Sequence, residues 1–247
     1  MAGITIYPDS RSLVEGAAGR IAELASRSVA ERGRFTIALS GGATPRPVYA
    51  RIAEDDLAGR IDWPSVHVFF GDERCVPPDD ERSNYRMAGE ALLATVALPR
   101  DNVHRIHGED DPAQAALACE QEMQRLFRTS QTPALDLILL GMGGDGHAAS
   151  LFPGTAALRE RERWVVPQYV GALAVWRVTF TAALINAARH IIFLVEGAGK
   201  AETLCRVLEG PYEPDVLPAQ LIQPVAGELH WLVDAPAAAR LRPGRWA

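Results

Sequence analysis

The chain has little from which cross-links or a metal cluster are built. Its three cysteines, Cys75, Cys119 and Cys205, are far apart, odd in number and without C-x-x-C spacing, which excludes a disulfide framework and a zinc ribbon and fits a reducing cytoplasm. Positive charge is also scarce: 25 Lys and Arg face 31 Asp and Glu, a net charge of −6. No basic field is present to attract a nucleic-acid backbone, so nucleic acid is not an expected partner. No segment approaches the roughly 18 consecutive apolar residues of a membrane span. The start, MAGITIYPDS, lacks the basic-then-apolar pattern of an export signal, and a cytoplasmic protein without membrane contact is expected. Internal repeats and low-complexity linkers are absent.

What is present is an alternation of apolar runs and amphipathic segments over 247 residues, 48% of them hydrophobic, enough to bury a sizeable core. Ile4 to Tyr7 reads as a strand, and Asp9 or Ser10 caps a helix with Leu13, Ala17, Ile21, Leu24 and Val29 near helical period, closed at Arg32-Gly33. Phe35 to Leu39 and Val66 to Phe70 are further strands. Pro45 opens a helix after the first of them, and Ser83 precedes an amphipathic segment that Pro99 ends. A helix around Ala113 to Leu126 follows, then strands within Leu137 to Leu140, Arg177 to Phe180, Ile191 to Val195 and Leu229 to Val233. Helices over Gly199 to Leu208 and Ala235 to Arg240 complete the series. Such alternation predicts one α/β domain over residues 1–247, Rossmann-like, with a mostly parallel sheet and helices on both faces. Ligands of such sheets bind beyond the carboxyl ends of the strands.

Three polar loops are expected there. In LDLILLGMGGDGHAASLFP, Leu135 to Pro153, an apolar run of strand length passes abruptly into Gly141, Gly143, Gly144 and Gly146, with Asp145 and His147 among them. Glycines after a buried strand let backbone approach a ligand, and histidine exchanges protons near neutral pH, so His147 is the candidate general base. Ser40-Gly41-Gly42-Ala43-Thr44 lacks both the Walker lysine and G-x-G-x-x-G. Its hydroxyls, its N–H groups and the following helix start suit a phosphate monoester held without metal. Asp72-Glu73-Arg74 offers two carboxylates and a guanidinium at a strand end. Arg177 opens a strand and Lys200 a helix, and both are candidates to approach the cleft with positive charge. Ser150 lacks a G-x-S-x-G elbow and is not expected to be a nucleophile. The remaining histidines show no metal-ligand spacing, and no metal site is assigned. Core packing accounts for most of the scattered tryptophans, Trp63, Trp164, Trp176, Trp231 and Trp246.

The motifs SGGATP (Ser40 to Pro45), GDERCVP (Gly71 to Pro77), SNYRMA (Ser83 to Ala88) and LGMGGDGHAASLFPG (Leu140 to Gly154) together closely resemble those of the 6-phosphogluconolactonases. RVTFTAALINAA, GAGKAETL and LPAQLIQP extend the resemblance over nearly the whole chain. The resemblance implies a fold shared with glucosamine-6-phosphate deaminases and with sugar-binding domains of some bacterial regulators. It also implies hydrolysis of 6-phosphoglucono-δ-lactone in the oxidative pentose phosphate route, with neither cofactor nor metal. A phosphorylated sugar lactone is then the only expected partner, and the protein a monomer or weak homo-oligomer. On this reading Ser40, Gly41, Gly42 and Thr44 hold the 6-phosphate with Arg177 and Lys200. His147 activates water, Asp145 orients the imidazole or favours its charged form, and Arg74 faces the oxyanion. Asp72 and Asn84 hold sugar hydroxyls, and Gly143 lines the substrate site. A deaminase reading is the alternative, but deaminases typically continue past D-G-H with a segment resembling I-A-F-N-E-P, and Phe152 stands where that glutamate belongs. A sensor reading would need a DNA-binding segment before a strand that starts almost at Met1. In one departure, Val175-Trp176 replaces the prolines often found before the arginine of R-V-T, which leaves the reach of Arg177 to phosphate open.

Overall fold

A computed structural model describes residues 3–242 and Gly244; Trp246 lies outside them. Six strands form one wholly parallel sheet in the order β1-β9-β8-β5-β2-β3, namely β1 (Gly3–Tyr7), β2 (Phe35–Leu39), β3 (Val66–Phe70), β5 (Leu137–Gly141), β8 (His190–Val195) and β9 (Glu228–Asp234). Every residue of β2 is buried, as are all but the end residues of β5 and β8. That is why these strands read as unbroken apolar runs rather than alternating ones. The helices are α1 (Ser10–Arg32), α2 (Pro45–Ile52), α3 (Asp55–Ala58), α4 (Asn84–Ala88), α5 (Pro112–Phe127), α6 (Ala182–Asn186), α7 (Ala201–Glu209) and α8 (Ala235–Ala238). None of them is long and apolar enough to cross a membrane.

Local chemistry sets the element ends. The Asp9 carboxylate accepts the Ser12 N–H at 2.7 Å to start α1, and Gly33, at φ 73°, returns its N–H to Val29 to end it. At the amino ends of the central strands, remote from the cleft, the buried Asp136 carboxylate accepts the N–H and hydroxyl of Thr36, each at 2.8 Å, and Arg32 Nε at 2.9 Å. This clamps β2 to the start of β5.

Two expectations are corrected. Asp72–Arg74 is not a loop but β4, the edge of a second, antiparallel sheet in the order β4-β7-β6, with β6 Val165–Val170 and β7 Val175–Phe180. Arg177 therefore belongs to this smaller sheet and not to the parallel one. The three charged residues of β4 have no strand propensity of their own; pairing with the distant β7 makes the strand. Glu120 of α5 ties the small sheet down by accepting the N–H groups of Trp164 and Val165 at 2.6 and 2.9 Å. Trp63, Trp164 and Trp231 are buried, whereas Trp176 is half exposed.

Candidate active site

From β2 the chain runs outward to β3, and after α5 it returns as β5 on the other side of β2. The crossovers thus diverge between β2 and β5, and a crevice opens at their carboxyl ends. A cavity of about 400 Å³ lies there. Its lining includes eleven of the twelve expected residues: Ser40, Gly41, Gly42, Thr44, Asp72, Arg74, Asn84, Gly143, His147, Arg177 and Lys200. The twelfth, Asp145, supports His147 from beside the lining.

The loop after β2 is pinned by Tyr49 of α2, whose hydroxyl accepts the Ser40 N–H at 2.9 Å and donates to the Ser40 carbonyl at 2.8 Å. Gly42 holds φ 110°, a conformation that only glycine takes without strain. The Ser40 hydroxyl is buried without a protein partner, and Thr44 makes no capping bond. Both hydroxyls therefore remain for a ligand, and the loop is not merely a capped turn. Gly41 is equally constrained, since a Cβ there would fall 1.8 Å from Asn84 Oδ1.

The opposite wall is held by a residue to which the sequence alone assigned no role of its own. Glu73 is 2% exposed. Its carboxylate accepts the N–H groups of Arg74, Asn84 and Tyr85, each at 2.8 Å, and the Ser83 hydroxyl at 3.0 Å. It thereby locks β4 to the start of α4, fixing Asp72, Arg74 and Asn84 together. Burial pushes its carboxyl above the ordinary carboxylate range, while the three backbone donors pull the other way. Ser150 is the second such residue. Fully buried, it donates to Asp72 Oδ2 at 2.6 Å, so it orients Asp72 and is not a nucleophile. Asn84 Nδ2 donates to the Asp72 carbonyl at 2.8 Å, and Arg177 Nη1 lies 3.5 Å from Asp72 Oδ2.

Arg74 and Arg177 are direct cross-strand partners. Like charges directly opposite each other are destabilising, and the Nε atoms of both are buried without partners. Burial lowers the Arg177 pKa; Asp72 counters this and Arg74 adds to it. Arg74 donates to the Arg82 carbonyl. Two adjacent guanidiniums short of acceptors form a wall suited to an anion. On its far side a larger cavity, about 820 Å³, is lined by Val76, Pro77, Val175 and Trp176 among others.

The loop after β5 presents the imidazole. The Gly143 N–H donates to the His147 carbonyl at 2.9 Å and the Gly146 N–H to the Gly143 carbonyl at 3.1 Å. Gly146 takes φ 80°, and Thr203 of α7 secures the loop by donating to the Gly144 carbonyl at 2.6 Å. His147 Nδ1 lies 2.6 Å from Asp145 Oδ1, which also accepts the His147 N–H at 3.2 Å. Partial burial raises the Asp145 pKa, but the His147 charge and hydrogen bonds outweigh it and hold the carboxyl below its usual range. An ionised Asp145 accepts from Nδ1–H, which leaves Nε2 as the basic nitrogen for the cleft. A Cβ on Gly143 would meet Nδ1 at 2.1 Å and Asp145 Oδ1 at 2.4 Å. Gly143→Ala is therefore expected to break this pair and to lower kcat by roughly 10²-fold, with little change in KM. Steady-state kinetics check this, and an unchanged kcat would show that the pair does not depend on the open Gly143 face.

Lys200, the single lysine beside 24 arginines, reaches the cleft from the 3₁₀ turn Ala198–Lys200 after β8, where Asp234 accepts the Gly197 N–H at 3.0 Å. His67 and His104 pair elsewhere, at 3.1 Å, and burial takes His67 down to about 4. Among the described residues, no group of three or more His, Cys, Asp or Glu side chains is placed to hold a metal ion.

Comparison with known proteins identifies relatives in sequence and in fold. The 6-phosphogluconolactonase of Nostoc sp. is 42% identical over 241 residues, covering 96% of this chain and 98% of its own. The 6-phosphogluconolactonase structure from Trypanosoma cruzi superposes with a TM-score of 0.87 at 31% identity, covering 98% of this chain and 97% of that one. A monomeric glucosamine-6-phosphate deaminase, at 20% identity and a TM-score of 0.79 over 96% of this chain and 99% of its own, shares the fold. Residues 8–231 match the family described as glucosamine-6-phosphate isomerases/6-phosphogluconolactonase, and with that match spanning most of its length the chain belongs to this family.

Proposed function

We propose that this protein hydrolyses 6-phosphoglucono-δ-lactone to 6-phosphogluconate, releasing one proton per lactone opened. The observation that carries this reading is an imidazole whose Nδ1 is held by a carboxylate, in a cleft that also contains unpartnered hydroxyls and paired arginines. The names and close identity of the relatives support the same chemistry.

In the proposed course, the N–H groups and hydroxyls of Ser40 to Thr44 bind the 6-phosphate together with Lys200, and Arg177 adds charge from the facing wall. Asp72 and Asn84 hold sugar hydroxyls, and Gly143 leaves room beside the base. His147 Nε2 takes a proton from water as the water oxygen attacks C1. Negative charge then grows on the former carbonyl oxygen, and the Arg74 guanidinium faces it. When the tetrahedral intermediate collapses, the C1–ring-oxygen bond breaks and the imidazolium returns its proton to the leaving oxygen. Asp145 stabilises the imidazolium in between. Substrate, water and side chains are the only participants these steps use.

Lys200 supplies binding more than chemistry in this scheme. Lys200→Ala is expected to raise KM about 10-fold with kcat nearly kept. Lys200→Arg should restore binding only in part, because a planar fork does not replace a compact ammonium at a tight anion site. Initial rates across substrate concentration test both, and a fall in kcat at unchanged KM would move Lys200 to the reacting end. The reading itself is tested in a pH-stat by following acid release from freshly made lactone above the spontaneous rate; no enhancement would refute it.

A further inference from the structure

Nothing in the scheme above explains what fixes the plane of the imidazole. The 2.6 Å bond from Nδ1 to Asp145 holds one ring atom and does not by itself set the inclination of the ring plane. Five residues after His147, the Phe152 ring stacks on the imidazole with centroids 4.1 Å apart and planes inclined by 27°. The same phenyl ring carries the Arg177 guanidinium 5.4 Å from its centroid, within cation–π range.

The chain is folded back to make this contact. Ala149 adopts φ 49°, Leu151 donates its N–H to the Ala148 carbonyl at 2.9 Å, and the Phe152 carbonyl accepts the Thr155 hydroxyl at 2.8 Å. Phe152 is only 8% exposed, so its ring is itself held by packing. A non-glycine residue in the left-handed region is strained, and here the strained turn lies between His147 and the ring that covers it.

We infer that Phe152 is a positioning residue for the hydrolysis: its ring fixes the imidazole plane so that Nε2 stays aimed at the attacking water, and its π face accommodates the imidazolium formed during turnover beside Arg177. An aliphatic side chain of similar volume fills the space but offers neither a flat surface nor a quadrupole. The inference rests on the lactonase reading, and the test separates the two.

Wild type, Phe152→Leu and Phe152→Tyr are compared in lactone hydrolysis, with thermal unfolding measured in parallel. The expected result is a kcat roughly 10-fold lower in Phe152→Leu, KM within about twofold of wild type, and most of the rate recovered in Phe152→Tyr. Equal loss in both variants, a loss expressed in KM, or no loss overturns the inference. Proton NMR of the wild type gives a second readout that needs no activity: the His147 Cε1–H signal, assigned by its disappearance in His147→Gln, is expected upfield from the phenyl ring current. A signal at the position of an unstacked imidazole overturns the inference even if Phe152→Leu fails to fold. A wild type without lactonase activity but with the upfield signal sinks the proposed reaction and leaves the stacking standing.

Discussion

Replacing His147 with alanine is expected to lower kcat by about 10²–10⁴-fold, the range of a positioned acid/base group, while binding of 6-phosphogluconate stays within a few-fold of wild type. The two effects separate because the groups proposed to bind phosphate lie on other elements. Ser40 to Thr44 follow β2 and Lys200 follows β8, whereas His147 follows β5. Removing the imidazole leaves their hydrogen bonds intact, including the Tyr49 bonds that pin Ser40. Rates corrected for spontaneous lactone opening, together with calorimetric titration by 6-phosphogluconate, decide the matter. A fully active His147→Ala would reject the mechanism. A variant that neither reacts nor binds would make His147 part of the binding site instead.

The second large effect is expected at Arg74. An oxyanion-facing donor contributes about 10²–10³-fold to kcat, so Arg74→Met should lose that much. Stability should move the other way. Arg74 stands directly opposite Arg177, with its Nε buried and unpartnered, and the folded protein bears that repulsion whenever the cleft holds no anion. Methionine keeps much of the volume and removes the like-charge pair, so the melting temperature is expected to be unchanged or raised. Such opposition of stability and activity is characteristic of a site built for its ligand. Unfolding curves and kinetics on the same preparation test this. A variant that is both destabilised and fully active would mean that Arg74 serves the fold and not the reaction.

The parallel sheet was legible because burial on both faces leaves its mark on composition. Phe35–Leu39 and Val66–Phe70 appear in the structure with the bounds that their apolar runs predict. The smaller sheet was legible only in its last strand. β4 consists of Asp72, Glu73 and Arg74, which no propensity marks as a strand. β6 carries Pro167 inside VVPQYV, a signal against a strand except at an edge, and β6 is an edge strand. The convergence of the candidate residues on one cleft was legible in part, since the Ser40–Thr44 and Gly143–His147 loops each follow a buried run at its carboxyl end. What stayed hidden depends on contacts distant in sequence. Glu73 serves the start of α4, Ser150 orients Asp72 from 78 residues away, and the register sets Arg74 against Arg177. Sequence shows that such residues are polar; only packing shows that they are buried and which neighbours they meet.

Specificity between the two activities named in the family turns on whether the cleft opens a lactone or rearranges an amino sugar phosphate. Both substrates carry a phosphate, and only the second needs further acid/base groups to move hydrogens along the sugar. Phe152, packed on His147, provides none. The most direct measurement therefore runs two assays on one purified sample: hydrolysis of freshly generated 6-phosphoglucono-δ-lactone above its spontaneous rate, and ammonia release from glucosamine 6-phosphate. The account predicts rapid lactone opening that disappears in His147→Ala, with no ammonia; ammonia release without lactone opening would contradict it.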